Sequence, residues 1–376
     1  MANSPKAGRS PVCGWQALKA QVGAGAYDRA VPDDAAPVVR AQAVHARAPL
    51  RISFAGGGTD VPPYPQLRGG AVLSATIDLF AYASVTPTRS GTAGQFQSPD
   101  LDTSAALSGR QALARSVLES FAHDADVTLH CDAPPGSGLG SSSSLIVALT
   151  AALGELTGET MTLYELAARA VDIERHQLAI PGGHQDQYAA AFGGFNFIEF
   201  DAEGALVSPL RLRPEVRAEL QSTLLLLPTP TVQRRSSGIL RRQIDAYERK
   251  DQDVLRALHA IKEQALQAKT CLLRGDLHGL GEVLREGWSS KRQLASGIAT
   301  DEIEELYDQA VTLGALGGKL LGAGGGGYLL LMVPFAKRGD VVSRLGARGL
   351  VPRSFSFVEG GARAWREPTS DAPHRE

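Results

Sequence analysis

Glycine takes every second position in Pro-Pro-Gly136-Ser137-Gly138-Leu139-Gly140, four serines fill 141–144, and the apolar run Leu-Ile-Val-Ala-Leu-Thr-Ala-Ala-Leu follows at once. Alternating glycines permit backbone conformations closed to other residues and let the chain come close to a ligand. The apolar run predicts a buried helix of about four turns. A glycine turn that feeds a helix N-terminus aims unpaired N–H groups and the positive end of the helix dipole at one spot, which suits an anion and phosphate above all. Serine hydroxyls there can add hydrogen bonds or one oxygen ligand for Mg²⁺. A flexible loop before a serine-capped core helix would read the same way, and both readings stand at this point.

Other signatures are excluded by register or context. No lysine follows Gly140, so the turn is not a Walker A loop, and the Gly-x-Ser-x-Gly of a hydrolase elbow is missing. Gly322-Ala-Gly324-Gly-Gly-Gly327 matches a dinucleotide fingerprint by pattern, but a strand-like Tyr-Leu-Leu-Leu-Met-Val follows it where a helix is required. A net charge of −2 argues against a nucleic-acid surface. Three scattered cysteines without zinc spacing imply a reduced, cytoplasmic chain. No run is long enough to span a membrane. A length of 376 residues is comfortable for two cores.

Alternation and breakers divide the chain into two α+β domains. Residues 1–45 read as a disordered extension with one possible short helix at 15–20, and 367–376 as a frayed tail. The first domain, 46–205, carries strands at 48–55, 71–78, 80–87, 126–132 and 195–200, with helices at 104–122 and 163–179. The second, 206–366, carries a buried strand at 222–228, a long helical region over 239–292, a helix at 301–313, a strand at 328–333 and a helix at 336–347.

Three further constellations carry candidate chemistry. Arg51 and Asp60 flank Gly56-Gly57-Gly58-Thr59, and a carboxylate beside such a turn can accept hydrogen bonds from sugar hydroxyls. A capped turn with a solvated arginine is the plain alternative. Glu174 lies on a helix that exits through Pro181-Gly182-Gly183, with His184 and Asp186 just beyond; one acid could hold Mg²⁺ while the other receives or orients a hydroxyl proton. His184 lacks a ligand partner at metal spacing. The run from Gly317 to Gly327 offers backbone N–H groups to a phosphate, or else makes a tight bend between domains.

These segments, in this order, resemble the GHMP kinases, named for galactokinase, homoserine kinase, mevalonate kinase and phosphomevalonate kinase. Residues 134–144 resemble their phosphate loop, Ala48-Pro-Leu-Arg51 their first motif and 317–327 their third. Arg51-Ile-Ser-Phe-Ala-Gly-Gly-Gly-Thr-Asp60, Gly182-Gly-His-Gln-Asp-Gln187 and the late glycine run are most similar to the D-glycero-D-manno-heptose 7-phosphate kinase branch, itself similar to the kinase half of fucokinases. Gly57-Gly58 stands where galactokinases carry Glu-His, which counts against galactose.

The resemblance implies an N-terminal domain like ribosomal protein S5 domain 2, a ferredoxin-like C-terminal domain and an active site between them. It implies an ATP- and Mg²⁺-dependent kinase that converts a heptose 7-phosphate to the 1,7-bisphosphate on the way to nucleotide-activated heptose. A fucokinase-like enzyme and a non-catalytic nucleotide- and sugar-binding regulator are the alternatives; a monomer or homodimer is expected. ATP would rest on Pro135, Gly136, Ser137, Gly138, Leu139, Gly140, Ser141, Ser142 and Ser143. Ser142 and Glu174 match the family's Mg²⁺ ligands. Asp186 matches the carboxylate facing the attacking hydroxyl, and Arg51 the cation beside it. An arginine at that distance is expected to lower the aspartate pKa. Gly57, Gly58, Thr59, Asp60, Gly183, Gln187 and Gly325 are the expected sugar contacts. A phosphorylated acceptor needs a further cationic pocket, for which Arg234, Arg235, Lys291 and Arg292 are candidates; Lys319, beside the glycine run, is expected to be less available.

Overall fold

The structure is a computed structural model that describes residues 42–88, 94–230 and 236–368, all within one compact unit, Ala41–Glu376. The possible helix at 15–20, Arg234, Arg235 and the end of the tail lie outside the described residues. The first described element is β1 (Val44–Ala55), so two residues assigned to the extension are strand: Val44 and His45 pair with Arg366 and Trp365.

After β1 come α1 (Tyr64–Arg68) and β2 (Gly70–Pro87), then β3 (Phe96–Gln97), α2 (Ser104–Ser120), β4 (Ala125–Cys131) and α3 (Ser141–Thr157). The strands expected at 71–78 and 80–87 are one strand, because a register shift at Pro49/Leu50 absorbs the break against β1. Next are α4 (Leu163–Val171), a π-helical turn (Asp172–Gln177), α5 (Gln185–Phe192), β5 (Phe195–Phe200) and β6 (Ala205–Pro209). The N-terminal sheet runs β1–β2–β4–β3, with β5 on the first half of β2 and β6 beyond it. Its remaining edge, beside β1, is filled by β10 (Arg363–Arg366), near the end of the described chain. Helix α3 lies against β1 and β2. It is apolar almost all round, as a helix enclosed by other elements must be, and residues 145–149 are all at most 2% exposed.

The second half opens with α6 (Pro214–Thr223) and β7 (Leu224–Pro228), so Ser222 and Thr223 close a helix instead of starting the strand. Three helices follow: α7 (Ser236–Glu248), α8 (Gln252–Arg274) and α9 (Leu277–Arg292). They are separated by breaks whose aspartates, Asp251 and Asp276, cap the next helix. Then come α10 (Asp301–Thr312), β8 (Gly317–Leu320), β9 (Tyr328–Met332) and α11 (Phe335–Gly346). Strand β8 is a correction to the reading of 317–327 as one open glycine segment. A Cβ on Gly317 would lie 2.0 Å from the Gly281 carbonyl oxygen of α9, and one on Gly318 2.4 Å from that of Leu330. These two glycines serve helix-on-strand and strand-on-strand packing.

The three-stranded sheet β7–β9–β8 is buried on both faces, which explains why Leu224–Leu227 is unbroken leucine. Leu224, Leu226, Leu330 and Met332 join the core beneath the N-terminal sheet, whereas Leu225, Leu227, Leu329 and Leu331 pack with Trp288 in a second core. This period-two division sets the direction of every β8 side chain. Lys319 stands directly opposite Leu330 and so faces the N-terminal half.

Candidate active site

Gly136, Gly138 and Gly140 have φ values of 82°, 77° and 82°, so the alternation of glycine meets a real backbone demand. A Cβ on Gly138 would sit 2.5 Å from the Leu321 carbonyl oxygen, which brings the turn against the exit of β8. Gly140 is the N-cap of α3, and the helix supplies no side-chain cap of its own. The open first turn faces a cleft of about 240 Å³ lined by Gly136, Gly138, Gly140, Ser141, Ser142 and Ser143. Ser137 and Leu139 are fully buried, and neither they nor Pro135 reach the cleft. The Ser137 carbonyl accepts from Tyr328 N and the Leu139 carbonyl from Arg51 N, so these two residues build the turn.

Arg51, on β1, joins this turn to α5. Its Nε donates to Asp186 Oδ1 at 2.7 Å, its Nη2 lies 2.5 Å from the same oxygen, and its Nη1 donates to the Gly138 carbonyl at 2.5 Å. The Asp186 side chain is 20% exposed and lines the cleft. Burial raises its pKa above the ordinary aspartate value; Arg51 opposes the rise and the Asp60 carboxylate adds to it. The expected lowering by Arg51 is thus reversed, because desolvation outweighs one ion pair here.

Glu174 sits in the π-helical turn, not in the continuous helix that its periodicity suggests, and the wider turn re-aims its side chain. Ser143 Oγ and Gln187 Nε2 both donate to its Oε2 at 2.6 Å, and Arg175 lies 3.5 Å away. Gln187 is fully buried behind Glu174 and is not among the residues that line the cleft. The other carboxylate oxygen, Oε1, makes no hydrogen bond to a described residue. Glu174 and the exposed Ser142 both line the cleft, so each offers it a hard oxygen. Mg²⁺ takes one or two protein oxygens together with phosphate oxygens, so this donor set suits it. Among the described residues no cluster of three or more acidic, His or Cys side chains forms a closed metal cage.

On the opposite wall Asp60 is fully buried yet borders the cleft. It accepts from Gly58 N at 3.0 Å, Gln185 N at 3.1 Å and Gln185 Nε2 at 3.1 Å. A Cβ on Gly183 would lie 1.9 Å from Asp60 Oδ2, which is why glycine stands there. Gly57 and Gly58 line the cleft, but Thr59 does not: its Oγ1 donates to the Gly56 carbonyl and accepts from Ala71 N inside the core. Gly325 is likewise withdrawn, its N–H committed to the Ile298 carbonyl at 2.9 Å. The Gly327 N–H goes to Thr229 Oγ1 at 2.9 Å. Of the late glycine run, Gly322, Gly324 and Gly326 remain at the cleft.

Lys291 lines the cleft from α9, with its Nζ donating to the carbonyls of Leu320 at 2.8 Å and Gly322 at 2.5 Å. Burial holds its pKa well below the ordinary lysine value. Arg292 points elsewhere and pairs with Glu304 at 2.6 Å. Among the polar residues of the cleft, Ser53, Arg175, Gln185, Gln243 and Lys319 were not foreseen as contacts. A lone polar residue within Ile52-Ser53-Phe54 was the available signal for the first, and its buried hydroxyl has no partner. Burial lowers the His184 pKa and its Nε2 is unpartnered; it stacks edge-on near Phe200. No helix among the described residues is long and apolar enough to cross a membrane.

Residues 107–194 match the GHMP kinases N terminal domain and residues 268–349 the GHMP kinases C terminal domain. The chain is 34% identical over 344 residues to the D-glycero-alpha-D-manno-heptose 7-phosphate kinase of Campylobacter jejuni, covering 86% of this chain and 99% of that one. It is 30% identical to the L-fucokinase/L-fucose-1-P guanylyltransferase of Bacteroides fragilis over 77% of its length, which is 34% of that larger protein. A crystal structure of a D-glycero-D-manno-heptose 1-phosphate kinase from Bacteriodes thetaiotaomicron superposes with a TM-score of 0.69 at 32% identity, covering 87% of this chain and all of that one. Lactococcus lactis galactokinase superposes with a TM-score of 0.66 at 18% identity, a likeness of fold.

Proposed function

The chain belongs to the GHMP kinase family, and from that premise we propose that it transfers the γ-phosphoryl group of ATP to a heptose phosphate, with the anomeric hydroxyl of the 7-phosphate as acceptor. The observation that carries this reading is Arg51, which holds Asp186 and the Gly138 carbonyl at once and so ties a proton acceptor to the anion turn. The substrate class follows the similarity to a heptose 7-phosphate kinase over nearly that protein's whole length.

Phosphoryl transfer passes through a loose transition state, so placement and charge neutralisation supply most of the catalysis. The glycine turn and the first N–H groups of α3 receive the donor phosphates. Glu174 Oε1 and Ser142 Oγ would hold Mg²⁺, which neutralises charge on the phosphates. Asp60, supported by Gln185, accepts hydrogen bonds from the sugar hydroxyls and orients the ring. Asp186 takes the proton of the attacking hydroxyl, and its raised pKa makes it a stronger base than an exposed aspartate. Arg51 keeps that carboxylate aimed and offsets charge on the moving phosphoryl group.

Gly183→Ala is expected to raise the acceptor KM at least ~10-fold, because its Cβ would overlap Asp60 Oδ2 and a lost charged hydrogen bond costs about 1.5–3 kcal/mol. The ATP KM should stay within twofold, and steady-state kinetics with each substrate varied in turn reads both. For the function as a whole, a substrate panel with ATP is the test. D-glycero-D-manno-heptose 7-phosphate should exceed the free heptose, heptose 1-phosphate, L-fucose, galactose and mannose by at least ~10²-fold in kcat/KM, since an unpaired polar subsite discriminates strongly. A preference for L-fucose would transfer the chain to the fucokinase branch.

A further inference from the structure

The cleft holds four cations, Arg51, Arg175, Lys291 and Lys319, against three carboxylates, Asp60, Glu174 and Asp186. Arg51 is spent on Asp186, Arg175 lies beside Glu174, and Lys291 is held by two carbonyl oxygens. Lys319 is different. Its residue is 6% exposed, yet its ammonium makes no hydrogen bond or ion pair to any described residue. A strand lysine ordinarily extends its charge to water. Here β8 turns position 319 inward, opposite Leu330, and the side chain lines the cleft instead of the outer surface.

Burial disfavours its charged form, Arg51 disfavours it further, and Asp60 relieves it only in part. Buried charges without partners are costly and are normally compensated. Lys291 on α9 and Lys319 on β8 thus both feel the Arg51 guanidinium and the Asp60 carboxylate, and of these two lysines only Lys319 has an uncommitted ammonium. An arriving anion would supply what the protein alone lacks. The carbonyl of Leu321, two residues on, abuts Gly138 of the anion turn, and Lys319 lines the same cleft as that turn and Asp60.

We propose that Lys319 is the receptor for a phosphoryl group in the loaded cleft, a subsite distinct from the glycine turn. The shared chemistry is an ammonium on a phosphoryl oxygen. Its source is either the acceptor's own phosphate or the phosphoryl in transit, and the first source rests on the reading of the acceptor as a sugar phosphate.

Lys319→Met keeps the stem and removes the charge; Lys319→Arg keeps the charge. Each full-length variant is assayed with ATP, the sugar phosphate turned over best by the wild type, and the same sugar without its phosphate. Calorimetric binding of inorganic phosphate is measured alongside. Lys319→Met is expected to weaken phosphate binding at least ~10-fold and to melt no lower than the wild type at pH 7, because it removes a desolvated charge. An acceptor KM at least ~10-fold higher for the phosphorylated sugar alone assigns the acceptor's phosphate. A kcat at least ~10²-fold lower with both sugars alike assigns the phosphoryl in transit.

The Lys319 pKa is lowered to about 8, with Arg51, Lys291 and Asp60 facing it. The ammonium is charged below that pH, so wild-type kcat/KM should fall as pH rises through about 8. In Lys319→Arg that alkaline limb should move to higher pH. Phosphate binding and kinetics all within twofold of wild type would overturn the proposal, as would a marked loss of thermal stability in Lys319→Met. If the wild type prefers an unphosphorylated sugar, the heptose phosphate reading fails, while phosphate binding and kcat still test Lys319.

Discussion

Asp186→Asn is expected to lower kcat by about 10²–10⁴-fold, the usual worth of a positioned general base, while changing ATP affinity less than twofold. Asparagine keeps the shape and can still meet Arg51 through its amide oxygen, so the link from Arg51 to the Gly138 carbonyl should persist. What disappears is the acceptor for the hydroxyl proton. The pH profile supplies a second readout. Burial raises the Asp186 pKa, so wild-type kcat/KM should climb with pH through a limb lying above the ordinary aspartate value. Below that pKa the carboxyl is protonated and cannot accept; above it the base is available. Asp186→Asn should abolish the limb together with the rate. Near-normal turnover would remove Asp186 from the chemistry, and a large loss of ATP binding would show instead that the anion turn had been disturbed.

Gly138→Ala should be almost as damaging for a purely steric reason. At φ 77° an L-residue is strained by about 1–2 kcal/mol, and its Cβ would press on the Leu321 carbonyl oxygen at 2.5 Å. That neighbour is backbone, so no rotamer change relieves the overlap. Either the glycine turn or the exit of β8 must move. A displacement of about 1 Å can cost about 10²-fold in rate, so kcat/KM for ATP should fall by at least that factor. The melting temperature should drop as well, because the same contact joins the two halves of the chain. Gly109→Ala is the control: nothing lies within 4 Å of the place its Cβ would take, and it should behave as wild type.

The local devices were legible because they depend on near neighbours in the chain. Alternating glycines imply positive φ at Gly136, Gly138 and Gly140 whatever surrounds them, and all three adopt it. The apolar run after Gly140 implies an enclosed helix, which α3 is. Other elements escaped for reasons that are equally physical. The π-turn at Asp172–Gln177 has the same apolar periodicity as a helix, so sequence could not show how Glu174 is re-aimed. Gly317 and Gly318 resembled an open phosphate segment, yet α9 and β9 press on them and make them strand.

Sequence alone therefore determined the left-handed backbone at Gly136, Gly138 and Gly140, and the order of the four segments that resemble the family. Tertiary structure alone decided which side chains are free to act. Thr59 Oγ1, Gln187 Nε2 and the Gly325 N–H are of suitable chemistry, but Gly56 and Ala71, Glu174 and Ile298 already engage them. Lys319 was expected to be less available, yet its ammonium has no hydrogen bond or ion pair to a described residue, because β8 turns it from the surface into the cleft. Asp186 was expected to be acidified by Arg51 and is made more basic, because desolvation and the Asp60 charge outweigh one pairing. Backbone conformation is set by the residue and its neighbours; hydrogen-bond commitment and pKa are set by whatever else the fold brings within a few ångströms.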